Sequence, residues 1–118
     1  MKQSSYAKGK EAEAIIVRYL EDKGWKVLAT NYRTSGAEID IVALDRTELV
    51  IVEVKSGKGD VVSLSESVTQ TKRKRIERAA QEFRHQKRMR HCTIRFDIIA
   101  LSMPEKKIHH FQEEFFDE

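Results

Sequence analysis

Residues 38–55 read Glu-Ile-Asp-Ile-Val-Ala-Leu-Asp-Arg-Thr-Glu-Leu-Val-Ile-Val-Glu-Val-Lys, and this stretch decides the fold. Two apolar runs, 39–44 and 49–54, flank the polar break Asp45-Arg46-Thr47-Glu48. Runs of this length, rich in Val and Ile and joined by a short polar turn, read as a β-hairpin. If Leu44 faces Leu49, the same register sets Asp40 opposite Glu53 and Glu38 opposite Lys55. Opposed residues of an antiparallel pair project from one face, about 5 Å apart. Two carboxylates and a lysine then converge at the end of the hairpin away from its turn.

Carboxylates this close repel, and one takes up a proton unless a cation lies between them. Mg²⁺ prefers oxygen ligands, commonly one or two carboxylates together with waters and a phosphate oxygen. A divalent cation with a phosphodiester therefore suits the pattern. Lys55 is placed to stabilise developing charge, or to orient or activate an attacking water. The competing reading is a set of cross-strand ion pairs on a solvated face, each worth about 0–1 kcal/mol.

Outward from the hairpin, residues 8–23 carry Ala12, Ile15, Ile16, Tyr19 and Leu20 at helical spacing, and Gly24 stops the run. Residues 25–32 read as a first strand, and Ser35-Gly36 turns the chain into the hairpin. Ser-Gly-Lys-Gly-Asp at 56–60 is a loop. A second helix is expected over 68–86, with Val68, Ile76, Ala79, Ala80 and Phe83 on one side. A fourth strand follows at 93–101, broken by Pro104, and a short fifth at 108–111. The acidic end, 112–118, is expected to fray. The chain is one domain, 1–118, with its core at about 8–111. Glu13 borders the apolar face of the first helix. Lys72 falls in line with Val68, Ile76 and Ala80, so it is a candidate to point inward.

The formal charge of +3 and a pI near 9.0 hint only weakly at a polyanionic partner. Its distribution says more: residues 72–90 hold nine Lys or Arg and two Glu, whereas 112–118 hold four acids and no base. The basic run of Lys72, Arg73, Lys74, Arg75, Arg78, Arg84, Lys87, Arg88 and Arg90 could track a phosphate backbone, although helical spacing scatters it over more than one side. Lys72, Arg73 and Arg75, with Lys58 from the glycine-containing loop, are the candidate nucleic-acid contacts. Cys92 is the only cysteine, which excludes an internal disulfide. No run reaches transmembrane length, and residues 1–6 lack the apolar stretch of a signal peptide. A cytoplasmic protein with no membrane partner is expected.

Several other residues read as structural. His109 and His110, adjacent on a strand, point opposite ways and do not make a metal site together. Asp97 reads as a hydrogen-bond acceptor, Cys92 as a partly buried strand residue, and Trp25 and Phe96 as core anchors. Phe111, Phe115 and Phe116 either pack back on the sheet or form a self-association patch, the one feature that admits a homodimer.

The ordered set Gly9-x-x-x-Glu13, Gly36-x-Glu38-Ile-Asp40, Val-Glu53-Val-Lys55, Ser67-Val-x-x-x-Lys72 and Arg95-Phe-Asp97 resembles the bacterial YraN-like family over about residues 8–111. The core of that family is similar to the PD-(D/E)XK nuclease superfamily of restriction endonucleases and archaeal Holliday-junction resolvases. The resemblance implies an α/β, restriction endonuclease-like fold with a central mixed sheet of four to five strands flanked by helices. It implies Asp40 and Glu53 as ligands of Mg²⁺ or Mn²⁺, with the Val54 carbonyl as a third, and Lys55 as the catalytic lysine. Glu13 would be an accessory acid, and Lys72 would support the site or touch phosphate.

The function expected is metal-dependent hydrolysis of DNA phosphodiesters, selective for structure because no sequence-reading module is evident. The alternative is a non-catalytic nucleic-acid-binding module of the same fold, serving a repair or recombination partner. A third is an interaction protein whose charges only keep it in solution.

Overall fold

The computed structural model describes residues 5–34, 36–58 and 69–115. In chain order the elements are α1 (Ser5–Asp22), β1 (Lys26–Thr34), β2 (Ala37–Asp45), β3 (Glu48–Gly57), α2 (Gln70–Gln86), β4 (Thr93–Ser102) and β5 (Lys107–Phe115). The strands form one sheet in the order β1-β2-β3-β4-β5. Pairing is antiparallel except between β3 and β4, which run parallel with α2 lying between them in the chain.

The alternation of the central strands explains the three layers. Ile41, Ala43, Val50, Val52, Ile99 and Leu101 face one way and pack with Ala12, Ile16 and Leu20 of α1. Val42, Leu49, Ile51, Ile94, Phe96 and Ile98 face the other and pack with Ile76, Ala79, Ala80 and Phe83 of α2. Both faces of β3 and β4 are therefore covered, which is why these strands read as almost continuous apolar runs. The result is a mixed five-stranded sheet with a helix on either face, consistent with the restriction endonuclease-like fold.

α1 closes as its sequence predicts. Gly24, at φ 89, holds a Schellman arrangement in which its N–H donates to Glu21 and that of Trp25 to Leu20. The hairpin has the expected register: Leu44 pairs with Leu49 and Asp45 with Glu48, around Arg46-Thr47. Several boundaries shift by two or three residues, β3 taking in Ser56 and Gly57 of the expected loop, and the last strand differs most. β5 runs from Lys107 to Phe115, so the chain does not fray from 112 as expected. The backbone beyond Phe111 continues to pair with β4, through Asp97 to Gln112 and Arg95 to Phe115, and those bonds hold it in the sheet. Phe111, left by the sequence to pack back on the sheet or to self-associate, packs against the core beneath α2. Cys92 is buried just ahead of β4. Ser35, Gly59, Asp60, Ser67, Val68 and Phe116 lie outside the described residues. Among the described residues no helix is long and apolar enough to cross a membrane.

Candidate active site at the parting of two strands

β2 and β3 pair only over residues 41–45 and 48–52. Before Ile41, β2 continues on β1 as far as Ala37 opposite Thr34. After Val52, β3 continues on β4 as far as Gly57 opposite Ser102. The two central strands therefore part where Asp40 and Glu53 stand. The gap leaves backbone polar groups to satisfy, and Asp40 Oδ2 takes one of them, accepting the N–H of Val54 at 2.7 Å.

Glu53 follows Leu49 and Ile51 on the α2 side, and its side chain is only 5% exposed. Burial of a carboxylate at this level demands cationic partners. Two converge on Oε2: the ammonium of Lys55 at 3.4 Å and that of Lys72, which arrives from the first turn of α2. Thr69 caps that turn, its Oγ1 accepting from the N–H of Lys72 at 3.2 Å. The inward direction expected for Lys72 is thus realised, although the Lys72 side chain keeps 46% exposure.

The charges remain unbalanced at Asp40. Burial, followed by the negative charge of Glu53, pushes its carboxyl up to about 7, against the opposing pull of the Val54 N–H and Lys72. Burial lowers the affinity of Lys72 for its proton, but the hydrogen bond and charge of Glu53 outweigh it and hold Lys72 above its ordinary value. Two carboxylates crowded so closely that Asp40 is held in the protonated range fit a hard divalent cation, which typically takes one or two carboxylates and fills its shell with water. Among the described residues no three His, Cys, Asp or Glu side chains form a metal site by themselves. Asp40, Glu53 and a backbone oxygen would have to supply the protein ligands.

These residues line a cavity of about 540 Å³, whose wall also includes Gly36, Val54, Thr71 and Arg75. A second cavity, of about 430 Å³, shares Glu38, Asp40 and Val54 with it and is lined further by Gly9, Lys10, Glu13, Asn31 and Arg33. Asp40 thus stands in the partition between the two. Glu13 is on the far side, held by Asn31 Nδ2 at 2.9 Å and by Lys10 at 3.5 Å. Sequence reasoning missed Asn31. It takes the left-handed conformation within β1, at φ 52, and Ala29 and Tyr32 on either side both pack beneath α2, so the alternation breaks there. An asparagine in an otherwise strand-forming run is the signal that could have found it, since Asn tolerates that conformation.

The remaining candidates separate. Arg75 is in the wall of the first cavity. Arg73 is not, because its guanidinium lies 5.0 Å over the ring of Phe96. Lys58 is exposed past the end of β3 and lines neither cavity. Asp97 is the structural acceptor expected, fully buried and bonded by Arg95 at 2.8 and 2.9 Å and by His110 Nε2 at 2.6 Å. Arg95 also reaches Glu48 at 2.7 Å and lies 5.0 Å over Trp25.

A model of the family described as "Uncharacterised protein family UPF0102" matches residues 12–101, a span that contains Glu13, Asp40, Glu53, Lys55 and Lys72. The chain is 38% identical over 109 residues to a UPF0102 protein of Thermodesulfovibrio yellowstonii, covering 92% of this chain and 95% of that one. It is 41% identical over 113 residues to one of Chlorobaculum tepidum, covering 90% and 85% respectively. It is 42% identical over 103 residues to one of Thermotoga maritima, covering 87% and 92%.

Proposed function

The chain belongs to the uncharacterised protein family UPF0102, the group its sequence resembled under the YraN-like name, and from the chemistry of its cavity we propose that it is a metal-dependent nuclease acting on DNA. The observation that carries this reading is the meeting of Asp40, Glu53, Lys55 and Lys72 in one cavity where β2 and β3 part. Asp40, Glu53 and the Val54 carbonyl would hold Mg²⁺ or Mn²⁺. An ion held there would supply Lewis-acid stabilisation of phosphoryl charge and activation of water.

The protein's own groups divide the remaining work. Lys55, tied to Glu53 at 3.4 Å, carries a positive charge into a wall that a phosphodiester would approach, where it favours the charge built up in the transition state. Lys72 and Arg75 extend that charge along the first turns of α2 and would hold the substrate's phosphates. Asn31 holds Glu13 at the second cavity, where it can order water on the other side of Asp40. Selectivity for branched or flapped structures rather than for sequence is the better expectation. A reducing cytoplasm suits the single cysteine.

A second reading rests on the Lys72–Glu53 ion pair, which neutralises the buried carboxylate without metal. On that reading the domain binds nucleic acid for a repair or recombination partner and does no chemistry. The deciding experiment is cleavage of labelled single-stranded, duplex, flapped and four-way-junction DNA in EDTA, Mg²⁺ or Mn²⁺, with wild type beside Glu53→Ala and Lys55→Ala. Metal-dependent cutting lost in both variants supports the nuclease. Salt-sensitive binding with no cutting, unchanged by Lys55→Ala, overturns it in favour of the binding module.

A further inference from the structure

At the far end of α2 from Lys72, four side chains that can carry positive charge, those of His85, Arg88, Arg90 and His91, line a cavity of about 420 Å³ with no carboxylate among the described residues of its wall. Arg90 Nη2 approaches His85 Nδ1 at 3.4 Å. Among the described residues neither Arg88 nor Arg90 is ion-paired to an acid. Cations at a helix C-terminus commonly serve to satisfy its last carbonyls, but here the backbone does that work. The N–H groups of Lys87, Arg88 and Met89 donate to the carbonyls of Phe83, His85 and Arg84. That is a Schellman arrangement with Arg88, at φ 55, where glycine is the usual occupant. A left-handed non-glycine residue is unfavourable, and the arginine it places here opens on the cationic cavity.

We infer that this cavity is a second phosphate-binding site, which grips the backbone of a nucleic-acid duplex whose other end lies in the cavity of Asp40 and Glu53. The inference rests on the nuclease or binding reading above and adds a length to its substrate. His85 lies thirteen helical steps beyond Lys72, a rise of about 20 Å and hence about six base-pair steps of duplex. Arg75 and Arg78 follow Lys72 at three-residue steps on the intervening flank, where both line a small cavity beside Thr34 and Gly36. Glu82, which shares that wall, interrupts the positive track; it accepts from Gln86 at 3.4 Å.

The test uses fluorescence anisotropy in EDTA, with labelled DNA hairpins whose stems hold four, eight or sixteen base pairs. The variant is Arg88→Asn with Arg90→Gln, since asparagine tolerates the left-handed backbone. The charge-matched control is Lys106→Asn with Lys107→Gln, at the β4–β5 turn, where Lys106 is also left-handed, at φ 60. Wild type and control should gain affinity between four and eight base pairs. The variant should not, and its log–log salt slope on the longest stem should be shallower by about 1.8, as expected for two lost phosphate contacts. An unchanged slope in the variant, an equal fall in the control, or no length dependence in wild type would overturn the site. Inorganic phosphate binding lost in the variant without any duplex effect would overturn it too. Because no metal is present, the result is independent of cleavage: a nuclease without this length dependence keeps the active site and loses the anchor, and the reverse outcome does the opposite.

Discussion

Asp40 Oδ2 accepts the backbone N–H of Val54 at 2.7 Å across the gap where β2 leaves β3. One carboxylate oxygen thus replaces the strand partner that Val54 has lost. The same bond fixes Asp40 beside Glu53, and the crowding of two acids follows from it.

That crowding makes stability depend on pH. The carboxyl of Asp40 titrates near 7 in the folded chain, mainly through burial and then through the charge of Glu53, and near 4 when unfolded. Between those values the folded state binds more protons than the unfolded state, so stability falls as pH rises from about 4 to about 7. Melting temperatures of metal-free protein should decline over that window, and Asp40→Asn should flatten the decline. Adding Mg²⁺ at pH 7.5 should restore part of the loss. An unchanged profile in Asp40→Asn would assign the pH dependence to another group.

Lys72 occupies Glu53 Oε2, where a divalent cation would also bind. Lys72→Gln should therefore raise Mg²⁺ affinity, by about tenfold if relief of the competition is worth about 1.4 kcal/mol. Its cost to the half-exposed pair should be about 1 kcal/mol of stability. Calorimetric titration beside urea denaturation measures both. Weaker metal binding in the variant would mean that Lys72 organises the carboxylates rather than competing for them.

Asn31 combines a left-handed backbone with a hydrogen bond to Glu13. Asn31→Gly should lose about 1 kcal/mol, the worth of the hydrogen bond. Asn31→Ala should lose about 1–2 kcal/mol more, because alanine resists that conformation. Equal losses in chemical denaturation would argue against the left-handed geometry.

The buried Arg95–Asp97 pair sits among Trp25, His110 and Glu48. Removing one partner of a buried ion pair leaves the other uncompensated, at about 3–5 kcal/mol. Asp97→Ala should therefore unfold at much lower urea, with Asp97→Asn intermediate. A wild-type midpoint in Asp97→Ala would show that Arg95 finds enough compensation in Glu48 and in Asp45, whose Oδ2 lies 3.7 Å from its Nη1.

The sequence by itself determined what repeats over short distances. Period-two runs placed the hairpin and its register, and the three- and four-residue steps of Ala12, Ile16 and Leu20 and of Ile76, Ala80 and Phe83 set the helices on their inner faces. With that register, Asp40, Glu53 and Lys55 were legible as one group. Only the tertiary structure decided where β2 and β3 stop pairing, which of the basic residues of α2 meets Glu53, and that Arg73 turns to Phe96 instead of the cavity. It also joined Asp97 to His110 and Glu13 to Asn31, pairs 13 and 18 residues apart in the chain. The reason is physical. Alternation and helical pitch are properties of the local backbone, whereas a parting of strands or a buried ion pair depends on how whole layers settle against one another.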